Sequence, residues 1–157
     1  VHSGAPFGGA DRKAGRKIGY THYWELSNIS QHSARWKTVI IDMSKIIAVS
    51  PVLLGDACGF NAPSISATEV LFNGRHENDQ DHETFHFPGE GGFNFCKTAS
   101  KPYDIVVTAC LAAAKDIFGS EISVGSDGDP EDWVAGVALA EYVLGRSIAN
   151  PIKDERA

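Results

Sequence analysis

TEVLFNGRHENDQDHETFHF, residues 68–87, is the stretch that decides the fold. Two short runs rich in β-branched and aromatic residues stand on either side of a polar tip. The first, Thr68 to Phe72, ends at Asn73-Gly74, a pair that favours chain reversal. The tip, Arg75 to Asp81, is longer than a two-residue turn. In the second run, His82 to Phe87, strand geometry puts His82, Thr84 and His86 on one face and Glu83, Phe85 and Phe87 on the other. The phenylalanines are expected to face a core and the histidines to face away from it.

Outward from this hairpin, strands and helices alternate. Tyr20, His22, Trp24 and Leu26 alternate with Thr21, Tyr23 and Glu25, which predicts a first strand over 18–26. Trp36, Val39, Ile40, Met43, Ile46 and Ile47 recur at helical spacing over 34–49, with Ser33 as cap and Ser50-Pro51 as stop. Residues 51–66 read as a loop. Downstream, Phe93, Phe95 and Lys97 suit a short extra strand. A second helix, apolar nearly all round, opens at Lys101-Pro102 and ends at Gly119. A fourth strand runs over 121–125. Asp129-Pro130-Glu131-Asp132 then opens a third helix, its acids suiting the positive end of the helix dipole. The order β-α-β-β-α-β predicts an α+β fold, a split βαβ (ferredoxin-like) sandwich with an extra C-terminal helix. The first strand would then lie beside the third. The expected organisation is a Gly-rich basic arm over 1–17, one domain over 18–146 and a tail over 147–157.

Composition narrows the function classes. The chain has 157 residues, 43% apolar and 22% charged, with a net charge of -6. That is one globular domain able to bury its own core, not a disordered chain. No apolar run approaches the roughly 20 residues of a membrane span, so no membrane partner is expected. The negative charge opposes a broad, sequence-blind hold on nucleic acid but leaves room for a few Lys and Arg to touch RNA locally. Cys58, Cys96 and Cys110 are odd in number and form no C-x-x-C, which points to a reducing, cytoplasmic location and away from a disulfide scaffold. The arm suits contact with another subunit, so a homo-oligomer built through it is one expected partner.

Three clusters carry chemistry. His82 and His86 would stand roughly 14 Å apart on a regular strand, too far to share a metal ion. Beside the first strand they would meet Tyr23 and Glu25, or Tyr20 and His22 in the other register. His82, His86, Glu83 and Tyr23 supply general acids and bases near neutral pH, and Lys97 or Lys101 supplies a cation. Cleavage of an RNA phosphodiester needs that set. In the second cluster, Ser126 to Asp132, the carboxylates of Asp127, Asp129 and Asp132 can hold a divalent metal ion, the one cofactor the sequence raises. A turn followed by a helix cap accounts for the same residues. In the third, Cys96 beside Lys97 has the setting of a thiol with a lowered pKa, the plainer reading being a structural cysteine.

Tyr-Trp in the first strand, Phe72-Asn73-Gly74, His82-Glu83-Thr84-Phe85, Phe95-Cys96-Lys97-Thr98, Lys101-Pro102-Tyr103-Asp104 and Ser126-Asp127-Gly128 with Trp133 resemble the motifs of a family of small uncharacterised proteins from bacteria, their phages and fungi. The resemblance covers about residues 18–145 and implies no catalytic assignment. Two functions are therefore expected from the residues. One is a small soluble hydrolase, an RNA-cleaving endonuclease of the ribotoxin-like kind acting on RNA or the ribosome. The other is a non-catalytic binding or self-assembling structural protein, such as a virion or filament component.

Overall fold

The computed structural model describes residues 19–153, and the arm expected over 1–17 lies outside the described residues. In chain order the elements are β1 (Thr21–Leu26), α1 (Ala34–Ala48), β2 (Leu54–Gly55), β3 (Ser64–Ile65), β4 (Val70–Gly74), β5 (Phe85–Phe87), β6 (Phe93–Lys97), α2 (Asp104–Phe118), β7 (Ile122–Ser126) and α3 (Pro130–Leu144). The α+β class and the C-terminal helix are as the sequence predicts.

The strands form two antiparallel groups. β1 lies between β6 and β7, with His22 opposite Cys96 on one side and opposite Ser126 on the other. β4 pairs with β5, β3 and the two-residue β2. The neighbour of β1 is thus β6, where the split βαβ order would put β5. Length explains the exchange: β6 offers five consecutive partners, Phe93 to Lys97, opposite Glu25 to Thr21, and β5 is only three residues long. Glu83 ties the two groups together. Its N–H donates to the Lys97 carbonyl at 3.1 Å, and its Oε1 accepts from the Lys97 N–H at 2.8 Å.

Phe85 and Phe87 are fully buried, while His82 is exposed and His86 half-buried, so this strand has the expected orientation. The phenylalanines belong to a chain of rings. Phe72 meets Phe85 at 5.0 Å between centroids, Trp24 meets Phe85 at 5.3 Å, Trp36 meets Phe87 at 6.0 Å and Phe118 at 6.4 Å. Both strand groups, α1 and α2 therefore contribute to one core.

The helices start and stop for local reasons. The Ser33 hydroxyl accepts from the Trp36 N–H at 3.2 Å and caps α1. α2 packs against α1, α3 and β7, which is why its apolar residues run all round it. α3 opens with the expected cap: Asp129 and Asp132 form a capping box, with Pro130 in the first turn. Arg146 donates to Asp42 of α1 and to Asp116 of α2, both at 2.9 Å. Hydrogen bonding to Asp42 is the main cause that raises its pKa, and Asp116 adds to it. Beyond it Ile148 is buried and its N–H donates to Glu141 Oε2 at 2.8 Å, and Ile152 packs against the core, so the tail lies on the domain as far as residue 152.

The tightest helix contact is at Gly136 of α3. A Cβ there would strike the Thr108 hydroxyl of α2, lie 2.8 Å from Thr108 Cβ and 3.0 Å from the Ala109 nitrogen. Backbone lies behind the side chain, so little can yield. Gly136→Ala is expected to lower stability by about 1–3 kcal/mol through overpacking. Urea unfolding of the variant checks this, and an unchanged midpoint would mean that α2 and α3 separate more easily than their packing implies.

Candidate functional site

The residues expected to act together are divided between the two strand groups. His86, on β5, pairs through Nε2 with Glu69 Oε1 at 2.8 Å. His82 spends its N–H and carbonyl on the buried Asn73 side chain, both at 3.0 Å, and leaves its ring exposed. Glu83 braces β6 as described, and its carbonyl accepts from the Tyr103 hydroxyl at 2.5 Å. Tyr23 and Lys97 belong to the sheet centred on β1, where the Tyr23 hydroxyl donates to Asp127 Oδ1 at 3.0 Å. The FNG, HETF and KPYD motifs thus hold strands together through Asn73, Glu83 and Tyr103. Of the acidic loop, Asp132 Oδ2 accepts from the Asp129 N–H at 2.8 Å within the helix cap. Among the described residues no three His, Cys, Asp or Glu are gathered as metal ligands would be. Lys101 serves as a brace, donating to the Asp79 carbonyl at 2.6 Å.

Cys96 takes the plainer, structural reading and not that of an activated thiol. Its side chain points inward from β6 and is fully buried. Burial first, and the charges of Glu83 and Asp104 second, push the thiol pKa up, the opposite of activation.

A different group converges. His22, Thr98, Asp104 and Ser126 come from β1, the turn after β6, the first turn of α2 and the end of β7. The His22 ring is fully buried, with Nε2 2.6 Å from Asp104 Oδ1 and Nδ1 2.9 Å from Ser126 Oγ. Thr98 donates to the same Asp104 oxygen at 2.6 Å. Gly128 N–H donates to Ser126 Oγ at 2.9 Å. The tautomer follows by counting donors. With the ring neutral and Asp104 ionised, the carboxylate can only accept, which puts the ring proton on Nε2 and leaves Nδ1 to accept from the Ser126 hydroxyl. Two aromatic rings frame the imidazole edge-on, Tyr20 at 4.8 Å and Trp133 at 4.9 Å between centroids.

Local sequence makes this geometry possible. His22 and Ser126 are direct cross-strand partners, so their side chains share the covered face of the sheet. Gly128 is needed because a Cβ there would collide with the Tyr20 hydroxyl and come within 3.0 Å of Asp132 Oδ2. Ala99 and Ser100 hold left-handed φ values of 52° and 56° without being glycines. That turn lets the N–H groups of Thr98 and Ala99 both donate to the Tyr20 carbonyl, at 3.1 and 3.2 Å, and aims Thr98 at Asp104. Two such residues store on the order of 1–3 kcal/mol each, as functional sites often do. The cluster reaches solvent at Asp104, whose side chain is 17% exposed.

The sequence carried three signals for this site: the inward parity of His22, the last residue of KPYD and the first of SDG. None identifies it alone, because Asp104 and Ser126 lie 82 and 104 residues from His22. No family model, curated protein or solved structure matches the chain, so the chemistry rests on these residues themselves.

Burial raises the pKa of Tyr20, Tyr103, Cys96 and Cys110 in the fold, with nearby carboxylates adding to the effect at Tyr20 and Cys96. A raised pKa means that the folded state favours the neutral form. The resulting stability is complete below the unfolded values, about 8.5 for a thiol and about 10 for a phenol, and is lost as pH rises towards the folded ones. The urea midpoint is therefore expected to hold near neutrality and to fall above about pH 8.5, each group contributing up to about 1.4 kcal/mol per pH unit. Cys110→Ala should make the fall shallower. A midpoint that stays level to about pH 11 would contradict the burial of these groups.

Proposed function

We propose that the protein is a small hydrolase in which His22 carries a proton between Ser126 and the substrate while Asp104 orients the ring. The carrying observation is that both nitrogens of a fully buried imidazole are engaged, one by a hydroxyl and the other by a carboxylate. That order, hydroxyl to imidazole to carboxylate, is the logic of an activated serine. Attack joins Ser126 Oγ to the electrophilic carbon or phosphorus, and the hydroxyl proton passes to His22 Nδ1. The positive ring then faces Asp104. The proton moves on to the leaving group, and water repeats the sequence to release the covalent intermediate. Ser126 is only 5% exposed, so the Asp127-Gly128 turn must lift for the substrate to reach it. The N-termini of α2 and α3 both meet this region, and their dipoles favour charge developing on the substrate oxygen.

Carboxylic esters and the RNA phosphodiester that the sequence inventory favours are the two substrate classes to assay. A second reading, a non-catalytic binding protein, is favoured by the open face of the β1 sheet, where Phe93 and Phe95 are each more than half exposed.

Ser126→Ala removes only one oxygen from the relay. Its kcat is expected to fall roughly a thousandfold or more on any substrate that turns over, with the far-ultraviolet spectrum unchanged. Asp104→Asn should lower kcat in the same direction. Full activity in Ser126→Ala would remove the serine from the mechanism, and no turnover of esters or RNA by the parent protein would favour the binding reading.

A further inference from the structure

A cleft of about 420 Å³ lies between the turn after β1 and the Pro88–Gly92 loop, near the opposite end of β1 from His22. That volume is within the roughly 300–1,000 Å³ range of small-molecule sites. Its composition is selective. Ser27, Asn28 and Gln31 line it with hydroxyl and amide groups, and Ile29 and Pro88 supply apolar walls, with the buried Trp36 behind them. None of its lining residues carries an ionisable side chain. The amides offer donors and acceptors together, as a ligand rich in hydroxyls requires. The walls are held in place: Trp24 Nε1 donates to the Pro88 carbonyl at 2.9 Å, and Asn94 Oδ1 accepts from the Glu90 N–H at 2.8 Å.

The open sheet face begins at the mouth of this cleft. The Glu25 carboxylate lies beside Gly92, 3.4 Å from where a Cβ would be. Phe93 follows and stacks on Tyr23 at 5.9 Å, and Phe95 stands opposite Tyr23 across the strands. Exposed rings alternate here with carboxylates, Glu25 and Asp127, and with Ser123 and Gly125. Aromatic faces take up the C–H faces of a flat ring, and carboxylates accept from hydroxyls. A polyanion lying on this face would instead meet the like charges of Glu25 and Asp127.

We infer that the cleft and the adjoining aromatic face bind an uncharged oligosaccharide, one end seated between Asn28, Gln31 and Pro88 and the following units lying over Phe93 and Phe95. This goes beyond the hydrolase reading and does not depend on it.

The test uses the full chain and neutral hexasaccharides of glucose, xylose and N-acetylglucosamine, followed by amide chemical shifts and calorimetry. Saturable binding of at least one is expected, with shifts at residues 27–31 and 88–95. Asn28→Ala and Gln31→Ala, both on an exposed turn, should each weaken it about fivefold, the effect of one neutral hydrogen bond. Phe95→Ala should leave binding of the corresponding disaccharide, measured alongside, unaffected and remove the gain on lengthening to the hexasaccharide. Ser126→Ala must bind as the parent does, which keeps this site separate from the proposed relay. Absence of shifts with all three sugars at about 10 mM, a binding free energy weaker than about 3 kcal/mol, overturns the inference. Shifts of the same residues by hexauridylate in place of sugar, or loss of sugar binding in Ser126→Ala, also overturn it.

Discussion

The contact of Trp24 with Phe85 holds the two halves of the molecule together. Neither strand group is large enough to bury both of its faces, and antiparallel groups of three or four short strands gain stability mainly from what packs on them. Trp24 reaches across from the β1 sheet to the β4–β5 pair, with Phe85 at 5.3 Å and Phe87 at 6.4 Å. From Phe87 the same run of rings continues through Trp36 on α1 to Phe118 at the end of α2. Each such ring buries roughly 150–250 Å², so this run makes up a large share of the apolar area removed from water. The polar ends of the two indoles in this run are satisfied as well: Trp24 Nε1 donates to the Pro88 carbonyl at 2.9 Å and Trp36 Nε1 to the Ala67 carbonyl at 2.8 Å.

β1 divides the molecule functionally because alternate residues of one strand serve different surroundings. Trp24 enters the apolar core. His22, one step along the same face, enters a polar cluster at the N-terminal ends of α2 and α3. Tyr23 and Glu25, on the opposite face, line the open surface. A shift of one residue in pairing would exchange these sets and bring Glu25 into the core. The register is fixed from both sides, by Cys96 and Ser126 opposite His22 and by the Thr98 and Ala99 N–H groups on the Tyr20 carbonyl.

Much of this was legible in the residues, and the remainder was not for definite reasons. Helix ends could be read because they depend on neighbours in sequence: Ser33, Gly119 and Asp129 each act within four residues. The inward parity of Phe85 and Phe87 could be read because a strand alternates. Pairing partners could not, since β5 and β6 both alternate and only their lengths and the brace at Glu83 decide which one reaches β1. For the same reason the ionisable residues crowded in HETF drew attention as a site, whereas their polar groups largely serve to join strands. The His22 cluster was hidden because each member has a sufficient local explanation: a strand residue, a first-turn acid and a turn serine. Their convergence is a property of the folded chain.

A buried polar cluster of this kind is an expensive way to join β1, α2 and β7 if joining them is its whole purpose. Apolar residues of similar volume at positions 22, 104 and 126 would avoid the desolvation of an imidazole and a carboxylate, and such replacements are often neutral or stabilising. The chain instead keeps the polar groups, satisfies them with hydroxyls from Thr98 and Ser126, and accepts left-handed backbone at Ala99 and Ser100 to aim one of them. Strain beside a hydrogen-bonded hydroxyl, imidazole and carboxylate is frequent at preorganised sites, and it supports the proposed proton path over a merely packed junction. The cost of the arrangement is therefore the reason to look for chemistry at His22, with the half-buried Asp104 holding the ring from the side away from Ser126.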